Sequence, residues 1–125
     1  MNILVTGAAG FIGTNAMIYF ISKGYNVCGI DIKLSLDSEV NKSIERVDFL
    51  DFDRVADICE RFQPELILHL AAETGMESND PSKYSFNYES IAVIAKLTRK
   101  FKAVRKVLII SSLLVCRNGY IPHSN

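Results

Sequence analysis

Cysteine is scarce in this chain, and so is any excess of charge. Cys28, Cys59 and Cys116 are the only three in 125 residues. Odd in number and widely spaced, they form no disulfide framework and fit thiols kept reduced in the cytoplasm. Fourteen Lys and Arg balance fourteen Asp and Glu, so nothing asks for nucleic acid or a membrane surface as a partner. Long apolar runs are missing as well. The longest, 107–116, is too short to span a bilayer and contains two serines. The apolar N-terminus has no basic region and is broken by Gly7, Gly10 and Gly13, unlike a secretory leader. Two histidines, His69 and His123, with scattered cysteines give no zinc spacing, and no metal site is expected. What remains, 49% hydrophobic and 22% charged residues, is ordinary material for one globular domain over 1–125.

The most informative run is 4–13, where Gly7, Gly10 and Gly13 stand at a Gly-x-x-Gly-x-x-Gly spacing straight after an apolar strand, 2–5. A pyrophosphate needs backbone N–H groups at a helix N-terminus, where unpaired donors and the helix dipole favour negative charge. Gly7 supplies the tight turn, Gly10 lets the backbone approach the phosphate, and Gly13 lets the new helix pack close to the sheet. Context supports this reading. A helix over 11–23 carries Ile12, Ala16, Tyr19 and Phe20 at helical spacing, Gly24 stops it, and a second strand, 25–30, ends in Asp31. A carboxylate there accepts hydrogen bonds from the adenosine ribose and repels a 2′-phosphate, which favours NAD over NADP. Lys33, a cation two residues on, works against that preference.

The rest of the chain alternates in the same manner. A polar connection, 33–43, leads to a short strand at 44–48. A helix over 52–62 carries Val55, Ile58, Cys59 and Phe62 on one face and exits at Pro64. The near-continuous apolar strand 65–70 suits a parallel sheet covered on both faces. After a loop over 73–79, Asp80 and Pro81 open a long helix that runs to about Phe101, and 107–111 is the fifth strand. Right-handed crossovers make this an α/β doubly wound parallel sheet, Rossmann-like, with strand order 3-2-1-4-5. Ligands on such sheets bind beyond the carboxyl ends of the strands, at the switch between strands 1 and 4.

These motifs resemble the extended short-chain dehydrogenase/reductases, in particular the NAD-dependent nucleotide-sugar epimerases and dehydratases. Thr6 to Gly13 match the family's TGxxGxxG turn, which implies cofactor contacts at Gly7, Gly10, Phe11, Ile12 and Gly13, with Asp31 and Ile32 at the end of the second strand. Asp48 and Phe49 are similar to the pair that meets the adenine, and Leu70, Ala71 and Ala72 to the fourth-strand motif under the pyrophosphate and ribose. Ser111 and Ser112 resemble the SSxxVYG motif, whose second Ser is the catalytic hydroxyl, although Cys116 stands where the family has Tyr. The segment that usually reads Asn-Val-x-Gly-Thr is Asn87-Tyr88-Glu89-Ser90-Ile91 here, which leaves Asn87 as the implied cofactor contact. Thirteen residues come after Ser112, and the family's Tyr-x-x-x-Lys lies beyond them.

The resemblance implies an NAD-binding domain of an epimerase- or dehydratase-like oxidoreductase, without the C-terminal substrate-binding part and inactive as this short chain. A nucleotide sugar is the partner of a longer form, and a homodimer is left open. The other readings are a non-catalytic NAD(P)-binding or sensor module lacking the Tyr/Lys pair, and a fragment with a scaffold role. Tyr19 and Lys23 fit Tyr-x-x-x-Lys by letter but fall at the far end of the first helix, where packing explains them. Lys96, Arg99, Lys100, Lys102, Arg105 and Lys106 read as a solvated helix end. His69, between Leu68 and Leu70, reads as a hydrogen-bonded core histidine.

Overall fold

The computed structural model describes residues 1–74 and 80–111. Five parallel strands, β1 (Asn2–Thr6), β2 (Asn26–Asp31), β3 (Ile44–Arg46), β4 (Leu66–His69) and β5 (Lys106–Ile109), form one sheet in the order β3-β2-β1-β4-β5. The order is the one expected from the crossovers. Register pairs Thr6 with both Ile30 and His69, so the carboxyl ends of the three central strands finish level.

Alternation along the strands divides the core. Ile3 and Val5 of β1 and Leu66 and Leu68 of β4 point to the face covered by α1 (Phe11–Ser22) and the short α2 (Ser38–Asn41), where Met17 and Val40 are buried among them. Leu4 and Ile67 point to the other face, packed by α3 (Phe52–Phe62) and α4 (Ser85–Lys100) through Val55, Ile58, Val93, Ile94 and Leu97. Both faces of the central strands are therefore dry, as their unbroken apolar sequence requires. β1 leads to a helix on one face and β4 to a helix on the other, which opens a crevice between the two exits.

Three local features depart from the sequence expectation. The polar connection after β2 contains α2, capped by Asp37, whose Oδ1 accepts the N–H groups of Glu39 and Val40. The third strand stops at Arg46, so Asp48 lies in the segment beyond it. Asp80 does cap a helical start, accepting the N–H and hydroxyl of Ser82, but the turn Pro81–Tyr84 is 3-10 and α4 begins only at Ser85.

Cys28 and Cys59 are free thiols. Burial first, and then the Glu45 carboxylate, push Cys28 up to about 12 from the usual 9.0, and burial pushes Cys59 to about 11. Among the described residues no helix is long and apolar enough to cross a membrane.

Candidate functional site

The turn between β1 and α1 is built by hydrogen bonds that use up its own donors. Gly7 and Ala8 donate to the Ile30 carbonyl at 3.0 and 3.3 Å, and Gly10 donates to the Gly7 carbonyl at 3.1 Å. Ala9 donates to Asp31 Oδ2 at 3.0 Å. Thr14 makes the first bond of the helix, to the Gly10 carbonyl. Phe11, Ile12 and Gly13 thus carry the leading N–H groups of α1; no side chain caps them, and the first turn holds no acid. Phe11 and Ile12 are exposed, at 88% and 61%. Such an end concentrates unpaired donors and positive helix-dipole charge.

Each glycine has its own geometric reason. Gly7 sits at φ +68°, and a Cβ on it would fall 2.7 Å from the Ala71 nitrogen. A Cβ on Gly13 would run into the Gly7 carbonyl oxygen and lie 2.8 Å from Ala8 Cα. Gly13 therefore admits the turn itself rather than the sheet at large, a refinement of the sequence reading. A Cβ on Gly10 meets only the Gly7 carbonyl, at 3.3 Å, and otherwise faces open space. Sequence reasoning overlooked Gly29 in β2, where a Cβ would come within 2.6 Å of Ala8 Cβ and 3.1 Å of Met17 Cε. An isolated glycine inside a strand was the available signal for close approach.

A cavity of about 580 Å³ opens beyond the strand ends. Gly7, Ala9 and Gly10 form one wall, Asp31 to Leu34 a second, Val47 to Phe49 a third, and Leu70 to Thr74 with Phe86 the last. Of the sequence candidates, Gly7, Gly10, Asp31, Ile32, Asp48, Phe49, Leu70, Ala71 and Ala72 meet here. Asp31 is fixed from two sides, since its Oδ1 accepts the Lys33 N–H at 2.9 Å while Oδ2 holds Ala9. Each oxygen keeps a lone pair for a further donor. Asp48 accepts the Leu50 N–H at 2.9 Å and stays exposed, while Phe49 is buried beneath the cavity floor.

Other candidates stand elsewhere. Phe11, Ile12 and Gly13 lie at the helix end next to the cavity rather than in its lining. Asn87 gives both ends of its amide to Glu73, accepting the N–H at 2.7 Å and donating to the carbonyl at 3.0 Å. It acts as a clamp on the segment after β4. Ser111 is exposed beyond β5, and Ser112 and Cys116 lie outside the described residues. Lys33, Leu34, Glu73, Thr74 and Phe86 line the cavity without having been singled out as contacts. They sit in loops or at a helix start, where no periodicity marks them.

Tyr19 and Lys23 lie at the end of α1 away from the cavity, with Lys23 Nζ 5.7 Å from the Tyr19 ring centroid. Lys96 and Lys100 lay their ammonium groups over the Phe52 ring at 5.6 and 5.8 Å. His69 is buried, with Thr6 Oγ1 at 2.7 Å from Nδ1 and Ser90 Oγ at 3.1 Å from Nε2.

A glycine turn feeding an uncapped helix, an acid closing the second strand and a crevice at the switch point define a dinucleotide-binding type of α/β domain. Residues 3–119 match the NAD dependent epimerase/dehydratase family, and the chain belongs to that family. It is 34% identical over 123 residues to a UDP-glucose 4-epimerase of Mycolicibacterium smegmatis, covering 90% of this chain and 39% of that protein. A dTDP-glucose 4,6-dehydratase of Haemophilus influenzae is 35% identical over 88 residues, 62% of this chain and 26% of that one. The crystal structure of UDP-glucose 4-epimerase from Bifidobacterium longum in complex with NAD+ and UDP superposes with a TM-score of 0.82 at 26% identity, over 92% of this chain and 38% of that one. The chain thus spans well under half the length of these relatives.

Proposed function

We propose that this chain is the NAD-binding portion of a nucleotide-sugar epimerase- or dehydratase-like oxidoreductase. The observation that carries the reading is the 580 Å³ cavity with an uncapped helix end at one side and a doubly anchored Asp31 at the other. The residues fit a dinucleotide. The open side of Gly10 admits a phosphate where a side chain would stand, and the N–H groups of Phe11, Ile12 and Gly13 supply the donors an anion needs. Asp31 takes the adenosine ribose hydroxyls on its remaining lone pairs. Ile32 and the Asp48–Phe49 pair bound the adenine, and Leu70, Ala71 and Ala72 leave room beside the turn.

When bound, NAD would supply a hydride acceptor for a sugar carbon and the means to return the hydride. The chain's own contribution to that chemistry is Ser112, whose hydroxyl hydrogen-bonds the reacting sugar hydroxyl and steadies the carbonyl that develops from it. A hydroxyl alone abstracts no proton, and general acid/base groups contribute about 10²- to 10⁴-fold. The 125-residue chain therefore binds without turnover. In a longer chain carrying Tyr-x-x-x-Lys, Ser112→Ala lowers turnover more than NAD affinity, and an unimpaired variant refutes the role.

Calorimetry with NAD and NADP tests the site. The unmutated chain binds NAD more tightly than NADP. Asp31→Asn keeps an acceptor for the turn while removing the charge, and it weakens NAD by about tenfold while narrowing the gap to NADP. A preference for NADP in the unmutated chain contradicts the reading of Asp31 and makes Lys33 the dominant charge.

A further inference from the structure

Between β1, β4 and α4 the core holds three polar side chains, Thr6, His69 and Ser90, exposed by 0%, 4% and 0%. They form one directed chain of hydrogen bonds. Ala71 donates its N–H to Thr6 Oγ1 at 3.2 Å, and Thr6 Oγ1 lies 2.7 Å from His69 Nδ1. His69 Nε2 lies 3.1 Å from Ser90 Oγ, which donates to the Asn87 carbonyl at 3.4 Å. A hydroxyl has one proton to give. Thr6 accepts from Ala71, and the acceptor this set offers its own proton is Nδ1, so the ring hydrogen sits on Nε2 and is given to Ser90. Nδ1 is then a bare lone pair that takes the Thr6 proton. Only the neutral, Nε2-protonated imidazole satisfies every member.

The two ends of this chain reach two walls of the dinucleotide cavity. Thr6 precedes Gly7, the first residue of the glycine turn. Ala71 belongs to the opposite wall, which Asn87 also grips through the backbone of Glu73. His69 itself does not line the cavity.

We propose that neutral His69 is a positioning residue for the dinucleotide site, holding the segment after β4 against the glycine turn, so that protonating it weakens dinucleotide binding. This rests on the cofactor reading above. A proton on Nδ1 turns that atom into a donor toward Thr6 Oγ1, which already accepts from Ala71. The Thr6 oxygen has lone pairs for both donors, but its own buried proton is then left without an acceptor in the set, a cost that strains the contact between Thr6 and Ala71. Among the described residues the ring meets Thr6 from β1, Ser90 from α4 and Phe49, with its ring centroid 5.3 Å away, and Ile109 pairs with His69 on β5. None is charged or titratable. Burial alone lowers His69 below its ordinary 6.5. The stability that comes from keeping it neutral is full above pH 6.5. It declines as pH falls from there toward the lowered folded value, and below that value the penalty stays constant.

Nitrogen NMR of the imidazole and NAD calorimetry across pH 5 to 7.5, with circular dichroism on the same samples, test this. His69 is expected as the Nε2–H tautomer. Because coupling is reciprocal, saturating NAD lowers its pKa by about one unit, and protonating His69 raises the NAD dissociation constant about tenfold. His123→Gln leaves both effects in place, and Ser90→Ala, where it folds, weakens NAD several-fold. An Nδ1–H tautomer, a His69 pKa indifferent to NAD, or a loss of binding that only tracks unfolding overturns the proposal. No NAD binding at pH 7.5 in the folded chain overturns the cofactor reading and this inference together. Normal binding without coupling overturns the inference alone.

Discussion

Gly10 and Gly13 are three residues apart and answer to different demands. At Gly13 a methyl meets the Gly7 carbonyl and the Ala8 backbone, neither of which can swing aside. Gly13→Ala is therefore expected to cost about 3 kcal/mol of stability, the upper end for overpacking. At Gly10 the methyl meets one oxygen at 3.3 Å and otherwise occupies the space proposed for phosphate. Gly10→Ala should unfold within about 1 kcal/mol of the unmutated chain yet bind NAD about tenfold more weakly. Denaturant melts and calorimetry separate the two, and equal losses of stability at both positions contradict the assignment. The three glycines and Asp31 were legible in the sequence because a turn and an acid at fixed offsets leave a pattern. Thr6 and Ser90 were not, since a lone hydroxyl reveals its partner only once β1, β4 and α4 are brought together. Asn87 shows the same limit, because its bond to the Glu73 backbone has no signature along the chain.

At the scale of elements, α3 illustrates how a boundary is set. Its apolar positions Val55, Ala56, Ile58 and Cys59 are buried on one face. Asp51 caps its start by accepting the Arg54 N–H at 3.3 Å. The sequence marks the exit by Pro64, but the chain turns at Gln63, held in the left-handed region at φ 51°. A side chain there costs about 1 kcal/mol that glycine does not incur. Gln63→Gly also gives up an exposed bond from its amide to the Glu60 carbonyl. The balance favours the glycine, and the variant should be more stable by about 0.5 kcal/mol in a urea melt. A less stable variant would show that the amide bond outweighs the backbone strain. Strand and helix order were readable because most elements are long or strongly apolar. α2 was not, because four residues cannot display a helical period, and its capping by Asp37 was hidden inside a polar run.

For the whole molecule, fold class and strand order came from the alternation of apolar runs with helical periods and from the single hand of crossovers. The place of the cavity was legible with them, at the switch between β1 and β4, but Lys33, Leu34, Glu73, Thr74 and Phe86 were not recognisable as its lining, because only the level strand ends bring their separate segments together. Its lining carries Asp31, Asp48 and Glu73 against Lys33, so under the proposed function a phosphate is expected at the helix end rather than at side-chain cations. The opposite view would have the basic residues around the end of α4 recruit the ligand. Amide NMR of the folded chain titrated with NAD tests the difference directly. Shifts are expected to concentrate at Ala9 to Gly13, Ile32 to Leu34 and Ala71 to Glu73. Shifts confined to Lys96 to Lys106, or none at millimolar NAD, would contradict binding at the helix end.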